Sequence, residues 1–83
     1  MSQVLFVIIK NREKSLYMGE AAAISSQNDR GPFDILPMHA NLITLIKDKI
    51  WLKKVGGEYL EFPVTGQSVL WCTANKVEVF LGI

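Results

Sequence analysis

One cysteine, one histidine and a formal net charge of +1 leave this 83-residue sequence short of several kinds of chemistry. The lone Cys72 excludes an internal disulfide, which argues against a small secreted scaffold held by bridges. It follows Trp71 in an apolar run with no cation nearby to lower its pKa, so it reads as a buried thiol acting as a small hydrophobe. Lys and Arg are scattered, and the balance of charge offers no basic footprint for nucleic acid. The longest apolar run, Val4 to Ile9, has six residues and meets Lys10 at once. That is too short for a membrane span and wrongly flanked for a signal peptide. It reads as a strand covered on both faces, in a soluble, intracellular protein.

Catalytic patterns are equally thin. His39 has no second histidine to join it, and no His-x-x-x-His or Cys-x-x-Cys spacing is present. The expectation is a ring that hydrogen-bonds the backbone of its own loop. Glu58, Glu61 and Glu78 alternate with apolar residues, as a solvated strand face does, and Asp29 and Asp34 flank a loop. Gly56, Gly57 and Gly66 stand at turns, without a G-x-G-x-x-G or P-loop to cradle a phosphate. No catalytic, metal or cofactor site is expected, and the chain does not read as an enzyme.

What the sequence does hold is β structure. Apolar residues make up 49% of the chain, enough for a compact core. Strands are expected over residues 3–9, 15–18, 21–26, 42–46, 49–54, 58–64, 68–73 and 76–80. Gly19 reads as a bend or bulge, Lys47-Asp48 as a turn, and Gly56-Gly57 and Ala74-Asn75 as hairpin turns. No stretch shows a convincing helical period, so a single all-β domain spanning residues 1–83 is expected, with about eight to ten short strands in a sandwich or small barrel. Trp51, Tyr59, Phe62 and Trp71 serve either the core or a docking patch.

Two segments carry a resemblance. Leu16-Tyr17-Met18-Gly19-Glu20 is followed by GPFDILPMHANLIT, residues 31–44. Together they resemble the N-terminal domain of the epsilon subunit of F-type ATP synthases (delta in mitochondria). There an F-x-G-E segment precedes a G-E-F-G-I-L-P-G-H-A-P-L-L-T stretch. Gly31, Phe33, Ile35, Leu36, Pro37, His39, Ala40, Leu42 and Thr44 fall in register with it. Tyr59 to Gly66 and Asn75 to Val79 resemble later strands of the same domain.

The resemblance implies a flattened sandwich of two antiparallel sheets and a mechanical, non-catalytic role in the rotor. The partners it implies are the gamma subunit and the c ring, with ion flow coupled to ATP synthesis. The chain would sit in the cytoplasm, peripheral on the inner face of the energy-coupling membrane, and touch that membrane only through the ring. A partner-binding loop is expected at Asp29, Arg30, Pro32, Phe33, Asp34, Pro37, Met38 and His39. The sequence departs from the family inside that loop. Pro32 replaces an acidic residue, while Asp34 and Met38 each replace a glycine, so a backbone needing positive φ at Met38 would be strained. Nearby, Asn41 stands for a proline and Gln67 for a glycine. The family's C-terminal helical hairpin has no counterpart before Ile83, so neither autoinhibition nor a nucleotide site is expected. The alternative is an orphan sandwich that binds another protein or pairs with itself.

Overall fold

The computed structural model describes residues 3–83. Every element is a strand: β1 Leu5–Lys10, β2 Ser15–Ala21, β3 Ala23–Asn28, β4 Gly31–Ile35, β5 Leu42–Lys53, β6 Tyr59–Pro63, β7 Ser68–Thr73 and β8 Lys76–Phe80. They join in the order β2-β1-β8-β7-β5-β3-β4, with β6 also paired to β5. The all-β reading holds, and the sheet curls into two layers because β5 belongs to both. Residues Leu42 to Ile46 pair with β7, whereas Lys49 to Lys53 pair with β6 and lie beside β3.

The turn expected at Lys47-Asp48 is a bend inside one long strand. Asp48 takes a φ of 74°, a left-handed conformation that aspartate tolerates better than most residues. Opposite it, β3 advances two residues from Ser25 to Gln27 while β5 advances four from Trp51 to Lys47. The surplus residues swing β5 from one layer to the other. Such a bulge frees backbone groups, and the buried Ser26 hydroxyl donates to the Lys49 carbonyl at 2.8 Å.

Turn chemistry sets the hairpins. The β3–β4 turn is narrower than the polar cluster around it, because Gly31 at φ 116° already starts β4 and Asn28 Oδ1 accepts from the Arg30 N–H at 2.9 Å. Ala74 and Asn75 both have positive φ, the type I′ geometry that matches strand twist. Gly19 does not interrupt β2, whose irregularity lies opposite Ile9 and Lys10 instead.

All pairs are antiparallel except one. β1 and β8 run parallel, Phe6 beside Lys76 and Ile9 beside Val79, so the sheet is mixed. No hairpin joins these two strands, and nearly the whole chain lies between them, so nothing local dictates their relative direction.

Leu5, Val7 and Ile9 of β1 meet Leu70, Cys72, Val77 and Val79 from one layer and Ile24, Ile35, Ile50 and Leu52 from the other. Cys72 is fully buried, as expected, and burial pushes its thiol pKa up. The second face of β1 is different. Phe6 is exposed and Ile8 half-buried, so β1 is covered on one face only. Among the described residues, no element covers the other.

Candidate docking surface

That uncovered face is built by strand register. Side chains on one face of a sheet line up across neighbouring strands, one row for each alternate residue. Ile43, Trp71, Glu78, Ile8 and Met18 form one row across β5, β7, β8, β1 and β2. Leu45, Val69, Phe80 and Lys10 form the next, and Thr73, Lys76, Phe6 and Glu20 the third. Ile43, Leu45, Trp71, Met18 and Phe6 are between 41% and 68% exposed. The charges among them are largely spoken for: Lys76 Nζ lies 3.8 Å from Glu78 Oε1, and Lys10 Nζ sits 4.8 Å above the Phe80 ring. The result is a broad apolar face of a kind that soluble monomers seldom leave open.

The sequence-derived loop residues border this face in two pieces. Asp29 and Arg30 occupy the β3–β4 turn, with Asp29 3.4 Å from Lys47 Nζ. That turn shares a groove with Ile43, Thr44 and Leu45, and Asn28 Nδ2 donates to Thr44 Oγ1 at 3.1 Å. Pro37, Met38 and His39 lie in the β4–β5 connection, where Met38 to Asn41 share a second groove with Ala74 and Asn75. The three residues between are on strand β4. Pro32 and Asp34 face outward, Asp34 accepting from Ser25 Oγ at 2.6 Å, while Phe33 packs against the core. Alternation along β4 therefore leaves Phe33 partly buried while its two neighbours are exposed.

His39 bonds within its own loop, as anticipated: its N–H donates to the Leu36 carbonyl at 3.1 Å, and its ring Nδ1 lies 2.6 Å from the Ala40 carbonyl. Met38 adopts a φ of 71°. That is the positive φ at which a side chain is expected to be strained. Among the described residues, no group of three or more His, Cys, Asp or Glu is gathered. No helix there is long and apolar enough to cross a membrane.

Sequence reasoning missed Phe6, Ile43, Leu45 and Trp71 as a single surface. The signal was available in β1, apolar at both parities, but register across five strands is a tertiary fact. The strand edges are less inviting. β4 and β6 carry Pro32 and Pro63, and on β2 the Tyr17 hydroxyl donates to the Glu20 carbonyl at 2.7 Å.

The chain is 36% identical over 59 residues to the ATP synthase epsilon chain of Xanthomonas oryzae pv. oryzae, and equally so to that of Xylella fastidiosa. The chain is a relative of the ATP synthase epsilon chain. The matched stretch covers 70% of this chain and 42% of the relatives, so the epsilon-like chain spans less than half their length. No protein-family model matches it. Solved structures share the fold. A chain of the Euglena gracilis mitochondrial ATP synthase OSCP/F1/c-ring structure superposes with a TM-score of 0.90 at 10% identity, over all of this chain and 53% of that one. A chain of the Tetrahymena thermophila mitochondrial ATP synthase central stalk and c ring gives 0.77 at 13% identity, over 99% and 66%.

Proposed function

We propose that the chain is a non-catalytic central-stalk component of an F-type ATP synthase, docking on the gamma subunit and the c ring to help couple ion translocation to ATP synthesis. The observation that carries this reading is the uncovered apolar face of Phe6, Met18, Ile43, Leu45 and Trp71. It takes the foot of gamma, since a rotor contact must transmit torque and needs a broad, dry, rigid interface rather than a deep pocket. The two bordering segments, Asp29 and Arg30 in one and Pro37, Met38 and His39 in the other, meet the base of gamma and the ring, with Pro32, Phe33 and Asp34 of β4 between them. Membrane association is then peripheral, through the ring alone, on the inner face of the energy-coupling membrane. Neither nucleotide nor nucleic acid is part of the role.

Titration calorimetry with the cognate gamma subunit tests this. The folded chain is expected to bind, and Ile43→Glu with Leu45→Glu should weaken binding by at least about a hundredfold, since two charges would be buried unpaired. A folded chain that ignores gamma at micromolar concentration refutes the reading. The same uncovered face also favours a second reading, an orphan sandwich that pairs with itself. A tight homodimer by sedimentation, dissolved by the same two substitutions and indifferent to gamma, would support that one instead.

A further inference from the structure

The turn Leu36–His39 is closed by the His39 N–H donating to the Leu36 carbonyl. Pro37 holds its second position and Met38 its third, at φ 71°. This is the type II arrangement, whose third position calls for glycine because a Cβ is strained there. Met38 gains no burial in exchange: its side chain is 74% exposed. Some other contact must hold the residue in place.

That contact comes from the far end of the chain. Asn75 Oδ1 accepts the Met38 N–H at 2.6 Å, and Asn75 Nδ2 lies 3.3 Å from Gln3 Oε1 and 3.9 Å from Met38 Sδ. Asn75 is itself anchored. It is the second central residue of the I′ turn, and its carbonyl accepts the Phe6 N–H at 2.8 Å. The β7–β8 turn thus acts as a clamp fixed to β1, with its side chain closed on the β4–β5 connection. Strain of this kind persists only where the surroundings over-determine it, and it concentrates at ligand clamps.

We propose that Asn75 is a positioning residue: it holds the Leu36–His39 turn in its strained form, so that Met38 is presented to the partner that docks on the adjoining apolar face. The clamp stands on hydrogen-bond geometry alone; its use rests on the proposed docking to gamma. A turn already fixed loses less conformational freedom on binding, so affinity gains without any new contact.

Two substitutions separate the parts. Asn75→Gly keeps the positive φ and deletes the clamp, whereas Asn75→Asp keeps an oxygen acceptor for the Met38 N–H. In the full 15N-labelled chain, amide exchange at Met38 should speed up about tenfold or more in Asn75→Gly, as loss of one well-made hydrogen bond implies, and change little in Asn75→Asp. Exchange at Leu70 and Val77 should not move in either. Affinity for gamma should fall about tenfold in Asn75→Gly and be retained in Asn75→Asp. Unchanged Met38 exchange in Asn75→Gly overturns the clamp. Faster exchange with unchanged affinity overturns its role in presentation. A wild-type chain that exchanges as expected but does not bind gamma refutes the docking reading and the presentation with it, while leaving the clamp established.

Discussion

Replacing Met38 with glycine should make the protein more stable and a poorer partner. Holding a side chain in the left-handed region costs roughly 1–2 kcal/mol. Met38 is there at φ 71°. Because the side chain is 74% exposed, little apolar burial is lost when it is removed. Glycine returns part of the gain, since its unfolded chain is freer by roughly 0.5–1 kcal/mol. The balance centres on a stabilisation of about 0.75 kcal/mol, or about 3–6 °C in melting temperature for a domain of this size. Thermal unfolding by circular dichroism measures it, with Met38→Ala as the control that keeps the backbone strain and loses the side chain. If the glycine variant melts at or below wild type, the strain is not there and the reasoning fails. If it melts higher and binds gamma as well as wild type, the strained methionine serves no docking purpose.

Other consequences follow from buried groups. Ser26→Ala should cost about 1–3 kcal/mol, because the Lys49 carbonyl at the β5 bend would lose its donor, and a chemical denaturation curve with unchanged slope would show it. Cys72 should resist thiol reagents in the folded chain and react at once in denaturant. Its raised pKa also sets a pH dependence. Above the ordinary thiol value of 9.0 the unfolded chain releases a proton that the folded chain keeps, so this contribution to stability is complete below that pH and fades above it. A Cys72→Ala variant should lose that alkaline slope; if it keeps the slope, the thiol is not its source.

Period-two alternation, turn residues and the absence of helical periodicity were enough to read an all-β chain and most of its strands. β7 and β8 fall on the expected residues because local chemistry dictates both ends: Ala74-Asn75 closes the hairpin and apolar alternation runs through each strand. β5 was harder to read. Two apolar runs separated by Lys47-Asp48 look like two strands, and only pairing with β3 on one side and β6 and β7 on the other makes them one bent strand. The docking segment was legible as a motif but not as a shape. Half of it is strand β4, which turns Phe33 inward and divides the exposed residues into two borders.

Sequence alone therefore determined what is local: strand type, the main turns, the inert cysteine, the self-bonded histidine and the epsilon-like register of residues 31–44. Tertiary structure decided which apolar residues remain uncovered and which distant side chain holds the strained turn. The reason is physical. Strand propensity and turn geometry act over a few bonds, whereas the apolar face needs five strands in register, and the Met38 amide finds its partner at Asn75, 37 residues along the chain.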